Sequence, residues 1–524
     1  MGFDGTKTDD HGLERSRRMV FGELLARSAR RVPGKVALVF QDRTLTYAEL
    51  DERVNRAANA LTARGVRRGD HVGLLMHNRP EVLEVAFACH RLGACAVPVS
   101  PRLRQAEVDH VLRHSRVIAI VSDHELSSRG ARAAAVLPAI RAHLALGDPA
   151  PGAHDYEAAL ATASPVAPDV LVDDDDTAYV MYTSGTTGRA KGVLLSHRNL
   201  TAQLLNFVHE VGAREDDVWL SEVPMSHIVG LGGLFSFLYL GATVVIMPSA
   251  GFDPARTLER MHELGVTACF FTPSQWERLC RVPEPGAIVP SLRVGIWGAA
   301  LAMQSTLTKM NAGFPGVELL ANFGQTEMSP SATWLKARDA ERKLGSVGRL
   351  SINVEARVID DDGNDVAPGE VGEIVYRGPT VMKGYFDDAA ATRDAFHDGW
   401  FHSGDLVYQD EEGFFYVAGR KADVIFSGGR NIYPAEIEQA LLGHPAVVEA
   451  AVIGVPHPQL AEAPLAVVVT RLGTGVADTE LMEHLRERLP DHKLPASVEF
   501  VDALPRNSGG SVLRRELRAA VSGS

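Results

Sequence analysis

Four serine and threonine hydroxyls, three glycines and a lysine crowd into one short stretch, Tyr182-Thr183-Ser184-Gly185-Thr186-Thr187-Gly188-Arg189-Ala190-Lys191-Gly192-Val193. Gly185, Gly188 and Gly192 permit close backbone approach. Backbone N–H groups, together with the hydroxyls of Thr183, Ser184, Thr186 and Thr187, offer donors to an anion, and Lys191 adds a point charge. That combination suits a polyphosphate. It is not a Walker A loop, because Ala190 precedes Lys191 and Gly192 follows it. An apolar run at 178–181 precedes the stretch, and apolar residues at helical spacing follow over 197–207. The loop is therefore expected to join a strand to a helix.

The stretch closely resembles the phosphate loop of the AMP-forming acyl-CoA synthetases. These belong to the adenylate-forming superfamily, with the luciferases and the peptide-synthetase adenylation domains. Ala190 departs from the family's usual proline. The resemblance runs from 21 to 518 and implies roles for later motifs. Gly298-Ala299-Ala300-Leu301 is similar to the family's turn against adenine, where small side chains let a flat ring lie on backbone. Asn322-Phe323-Gly324-Gln325-Thr326-Glu327 matches a second family region. Phe323 replaces the common tyrosine and keeps a π face for adenine. Thr326 offers phosphate a hydroxyl, and Glu327 offers Mg2+ a hard oxygen. Asp405, within Gly399-Trp400-Phe401-His402-Ser403-Gly404-Asp405, aligns with the residue that takes both ribose hydroxyls, a task suited to a two-acceptor carboxylate.

Gly419-Arg420-Lys421-Ala422-Asp423 resembles the family hinge. The resemblance gives Arg420 a reach to ribose or phosphate and makes Ala422 the hinge residue, where Asp or Lys is common. Ser427-Gly428-Gly429 then corresponds to the turn beside the channel for the pantetheine arm of CoA. On the acid side, His227 of Pro224-Met225-Ser226-His227 corresponds to an aromatic or histidine lining the acyl tunnel, and Gly232 follows it. Trp297 precedes Gly298, where roomier relatives carry a small residue. A tryptophan there implies a short pocket for a compact or aromatic acid.

The tail Pro505-Arg506-Asn507-Ser508-Gly509-Gly510-Ser511-Val512-Leu513-Arg514 resembles the closing motif, but Ser511 aligns with the family's adenylation lysine. A serine offers one neutral hydrogen bond where the lysine would bridge carboxylate and α-phosphate. The only lysine after Lys421 is Lys493, in another motif. Arg506 or Arg514 could lean in, though a guanidinium fork does not reproduce a compact ammonium.

The implied reaction is ATP- and Mg2+-dependent activation of a carboxylic acid as acyl-adenylate, then displacement of AMP by CoA. Two other readings are weighed beside it. One passes the acyl group to an amine, a carrier-protein thiol or another small nucleophile. The other is a nucleotide-binding member with impaired adenylation, motivated by Ser511.

Elements to carry these residues are legible along the chain. Helical spacing at 20–29, strands at 36–40, 72–76, 94–99 and 117–121, and helices at 46–64, 81–92 and 107–115 alternate, implying a doubly wound parallel sheet. Thr46 and Glu49 form a capping pattern. Asp360-Asp361-Asp362-Gly363 reads as a hairpin turn in a small β-subdomain, and 421–520 as a small α+β domain. The expected division is a disordered leader 1–18, an N-terminal α/β domain 19–419, a hinge 420–423 and a mobile lid 424–524. The acidic run 173–176 reads as a solvated turn.

The chain has 524 residues, 45% hydrophobic and 23% charged, with net charge −13 and no basic block, which argues against a nucleic-acid partner. Cys89, Cys95, Cys269 and Cys280 make no metal-binding pattern and suit reduced thiols in a cytoplasmic protein. The uncharged stretch 228–247 has the length of a membrane span. Its glycines divide it instead into a helix stopped by Gly241 and a strand.

Overall fold

In the computed structural model the described residues are 10–183, 190–249, 251–282, 289–298, 304–471, 473–506 and 512–522. They form three sheets. The first has a parallel block of Val36–Phe40, Thr243–Ile246, Val218–Ser221, Ala268–Phe271, Val294–Gly298 and Glu318–Phe323. It continues without a break into antiparallel strands, Thr333–Leu335, Ser346–Leu350, Phe415–Arg420, Trp400–Gln409, Gly372–Arg377 and Glu355–Ile359. The expected small β-subdomain is thus an extension of the main sheet, its hairpin turning at Asp360 to Gly363. The second sheet is parallel from His154–Asp155 through His71–Leu75 to Thr177–Thr183, then antiparallel through Lys191–Ser196 to Gly384–Tyr385. The third holds the C-terminal strands, among them Val447–His457 and Ala461–Thr470.

A shared apolar core lies between the first two sheets. The helices Phe21–Arg31, Tyr47–Ala63, Pro80–Leu92, His197–Val211 and Ile228–Leu240 contribute to it. Pro80–Leu92 is buried along its whole length, covered by the helices Phe21–Arg31 and Tyr47–Ala63 and by the second sheet's strands His71–Leu75 and Cys95–Pro98. The outer face of the first sheet forms a separate core with Pro254–Glu263 and Pro273–Leu279. Strand alternation sends odd and even residues to opposite faces. The Thr46–Glu49 capping box forms as expected. The uncharged stretch resolves into the helix Ile228–Leu240 and the strand Thr243–Ile246. Among the described residues no helix is long and apolar enough to cross a membrane.

Three expectations need correction. The hydroxyl-rich stretch does not run from strand to helix. Thr177–Thr183 pairs antiparallel with Lys191–Ser196, Thr183 opposite Lys191, and only then does His197–Val211 begin, capped by Ser196. Strand pairing claimed the residues before the helical pattern. The leader is not wholly disordered, since Asp10–Arg17 is a helix. Arg15 pairs with Glu23 at 2.5 Å and Arg18 with Asp173 at 2.7 Å, tying this segment to the helix Phe21–Arg31 and to the acidic turn before Thr177–Thr183. The acidic run 173–176 is a set of ion-pair partners as well as a turn: Asp175 holds Arg198, and Asp176 holds Arg68, both at 2.9 Å or less.

Candidate active site

Asp405 and Arg420 face each other across the hairpin Trp400–Gln409/Phe415–Arg420, and that register makes them a pair. Arg420 Nε lies 2.6 Å from Asp405 Oδ1. Gln325 Nε2 donates to Asp405 Oδ2 at 3.3 Å, and the Asp405 N–H donates to Ser403 Oγ at 3.0 Å. Asp405 is 4% exposed. Burial pushes its pKa up to about 6 against the lowering effect of Arg420, with Glu327 and Glu373 pushing the same way as burial. At neutral pH it is an ionised, anchored acceptor. Behind it, Glu373 accepts from the Gly404 N–H at 3.0 Å and from Lys421 at 3.4 Å.

Glu327 sits in the 3-10 turn Thr326–Met328, just after Glu318–Phe323. The Tyr385 hydroxyl donates to its Oε1 at 3.1 Å, and the Met382 N–H donates to its carbonyl at 2.8 Å. Lys191 Nζ rests 4.7 Å from the centroid of the same Tyr385 ring. The strand pairing of Gly384–Tyr385 with Lys191–Ser196 brings these pieces together. Glu327 is buried and has no cationic partner among the described residues, so its second oxygen fits Mg2+. No cluster of three or more metal-binding side chains occurs among the described residues. That suits an ion held by one or two carboxylates plus phosphate oxygens.

Gly298 stands opposite Asn322, and a Cβ there would lie 2.5 Å from the Asn322 carbonyl, so the two strands close tightly. Gly324 has φ +157°, and a Cβ on it would collide with the Pro330 carbonyl. Asn322 Oδ1 accepts from Ser331 at 3.1 Å, whereas its Nδ2 is buried with no partner among the described residues, a donor left for a ligand. Phe323 packs at the edge of the central core. Ser184, Gly185, Thr186, Thr187, Gly188, Ala299, Ala300 and Ser511 lie outside the described residues.

His227 precedes the helix Ile228–Leu240, its N–H donating to the Pro224 carbonyl at 3.0 Å. A Cβ on Gly232 would meet only Pro330 Cδ, at 3.6 Å, so open space lies over that turn of helix. Trp297 does not border this space. It belongs to the outer core that also holds Trp276 and Phe314, while Ile296 faces the core shared with His227's helix. Alternation along the strand put the indole on the other face, and it cannot shorten a pocket there. Ser427, Gly428 and Gly429 form the turn of the hairpin Ile425–Ser427/Arg430–Ile432 in the third sheet, where the Gly428 N–H donates to the Leu460 carbonyl. Ala422 is exposed in the turn Lys421–Asp423. Arg514 donates to Glu438 at 2.6 Å and Arg506 to Glu449 at 2.8 Å, so both guanidiniums are held by carboxylates of their own domain.

Sequence reasoning missed three residues here. Gln325 holds Asp405, and Tyr385 touches both Lys191 and Glu327. Asn78, in the loop after the second sheet's strand His71–Leu75, donates from Nδ2 to the Val223 carbonyl at 3.0 Å and accepts from the Met225 N–H at 2.8 Å. Its signal is absent from local sequence because the partners are distant in the chain.

The α/β scaffold that carries these residues is that of the adenylate-forming ligases. The chain belongs to the AMP-binding enzyme family: the family's model matches 25–386, and that of the AMP-binding enzyme C-terminal domain matches 436–510. It is 38% identical over 498 residues to a feruloyl-CoA synthase of an Amycolatopsis species, covering 95% of this chain and 98% of that one. It is 37% identical over 515 residues to an indoleacetate–CoA ligase of Aromatoleum aromaticum, covering 96% and 98%. Among solved structures, o-succinylbenzoate CoA synthetase from Bacillus subtilis, in complex with its acyl-adenylate intermediate, superposes with TM-score 0.85 at 32% identity, covering 94% and 97%. The chain is an AMP-forming acyl-CoA synthetase whose cosubstrates are ATP, with Mg2+, and CoA.

Proposed function

We propose that this ligase activates a compact or aromatic carboxylic acid, bound beside His227 and Gly232. The supporting observation is the open space over Gly232, next to a polar segment in which Ser226 Oγ is buried without a partner among the described residues. Relatives named for feruloyl and indoleacetate substrates support the same reading. Trp297 no longer contributes to it.

The geometry around Asp405, Lys191 and Glu327 supports the following nucleotide roles. Asp405 accepts the ribose hydroxyls while Arg420, ion-paired to it, reaches toward ribose or phosphate. Phe323 and the Gly298 turn take adenine. Lys191, with Thr183 and the hydroxyls of Ser184, Thr186 and Thr187, takes the phosphates, and Thr326 adds a hydroxyl. Glu327 would hold Mg2+, which supplies charge neutralisation to the phosphates. The acid's carboxylate attacks the α-phosphorus and pyrophosphate leaves. The CoA thiolate, led in past Ser427, Gly428 and Gly429, then attacks the acyl carbon and AMP leaves. The protein contributes positioning and fixed charge rather than a covalent intermediate. The test is pyrophosphate release across an acid panel from acetate through cinnamate-type and indolyl acids to palmitate. Highest kcat/KM on the aromatic acids is expected. Highest kcat/KM on palmitate would overturn the acid assignment.

A further inference from the structure

Lys191 and Glu327 carry opposite charges and touch the same side chain, yet they are not paired with each other. Lys191 lies over the face of Tyr385, with Nζ 4.7 Å from the ring centroid, and the hydroxyl of that ring donates to Glu327 Oε1 at 3.1 Å. Lys191 makes no ion pair among the described residues. Tyr385 itself is rigidly placed. Its N–H donates to Thr392 Oγ1 at 2.9 Å, it pairs across the sheet with Val193, and the neighbouring Phe386 N–H donates to the Gly192 carbonyl at 2.7 Å. Met382, three residues earlier, donates its N–H to the Glu327 carbonyl. The segment 382–386 therefore straps the lysine-bearing hairpin to the turn that carries the glutamate.

We infer that Tyr385 is a positioning residue that acts as a spacer, keeping Lys191 and Glu327 from neutralising each other before nucleotide arrives. An ammonium and a buried carboxylate that touch the same side chain would, without it, be free to form an ion pair, and each would have to leave it to meet phosphate or metal. An aromatic face holds the ammonium by its quadrupole without using up its donors. A phenol satisfies one carboxylate oxygen with a neutral donor and leaves the charge. The inference rests on the phosphate and metal roles proposed above for Lys191 and Glu327.

The test is calorimetric ATP binding, in EDTA and with excess Mg2+, on the full chain. Y385F keeps the ring and loses the donor. Its affinity for metal-free ATP should stay within about twofold, while the gain on adding Mg2+ falls ~10-fold, as for loss of one hydrogen bond to a charged group. Y385L loses both contacts. It should bind metal-free ATP ~10-fold more weakly, and Y385L/E327A should recover most of that loss by freeing Lys191. Y385L binding metal-free ATP like the parent, or no recovery in the double variant, would overturn the spacer. If Y385L does not fold, Y385F decides, and an unchanged Mg2+ gain overturns it. K191A and E327A run alongside. A K191A variant with full metal-free affinity, or an E327A variant with full Mg2+ gain, removes the underlying role assignment instead.

Discussion

At the residue scale, two positions make sharp claims. Asp405 is buried, ion-paired to Arg420 and titrates near 6 in the free enzyme. D405A should weaken ATP binding by on the order of 10²-fold, since two charge-assisted hydrogen bonds to the ribose diol are lost. Unchanged affinity by calorimetry would dismiss Asp405 from the ribose site. The raised pKa also sets a pH dependence. The carboxylate is the binding form, so AMP affinity should fall as pH drops through 6, by roughly tenfold between pH 7 and pH 5. D405N measured in parallel should show only the slope from the nucleotide's own phosphate. Ser511 makes the second claim. Arg506 and Arg514 are each engaged with a carboxylate, and Lys493 pairs with Glu436, so none of the three is an idle cation near the closing motif. S511K should raise pyrophosphate exchange by on the order of 10²–10³-fold, the usual worth of one preorganised donor. No gain, with brisk turnover of the starting chain, would show that another group does the work.

At the element scale, two segments rather than single residues decide the site. One is the strap 382–386. The other is the loop 223–227, which leads from Val218–Ser221 into Ile228–Leu240 and carries His227. Asn78 clamps it from the loop after His71–Leu75 through both the Val223 carbonyl and the Met225 N–H, while its own N–H donates to Ser249 Oγ. N78A should therefore loosen the acid side of the site. The KM for the acid is expected to rise ~10-fold, with the KM for ATP changed by no more than about twofold. Equal rises in both constants would mean that Asn78 supports the fold generally rather than this loop.

At the scale of the whole molecule, the core between the sheets contains charge-averse histidines. His90 and His197 are fully buried, with ring centroids 5.2 Å apart, and His90 has no hydrogen-bond partner on either ring nitrogen among the described residues. Burial pushes His197 down to about 4 and His90 well below its ordinary value, and His143 on the second sheet is likewise pushed to about 4. All three are neutral in the fold and protonated in the unfolded chain below about 6.5. Their contribution to stability is present above that value and is lost as pH falls from 6.5 toward 4. At pH 5 the loss should be on the order of 2 kcal/mol per histidine. Thermal unfolding should show Tm dropping across that window, and H90L should flatten the drop. An H90L variant as acid-sensitive as the parent would place the sensitivity elsewhere.

The sequence by itself determined the elements whose cause is local. The capping box at Thr46, the helix that stops at Gly241 and the hairpin turn at Asp360 each depend on a few adjacent side chains. It also determined the family, because the loop, Asn322-to-Glu327 and Asp405 motifs stand in order along the chain. Only the tertiary structure decided which face each strand residue took, and so moved Trp297 out of the acid pocket. Only strand pairing set Lys191–Ser196 antiparallel to Thr177–Thr183 ahead of the helix. The partners of Asp405, Lys191 and the His227 loop, namely Gln325 with Arg420, Tyr385, and Asn78, come from other strands and loops. Hydrogen bonds and ring contacts act over a few ångströms in space, and the distance between their partners along the chain leaves no mark on local residue pattern.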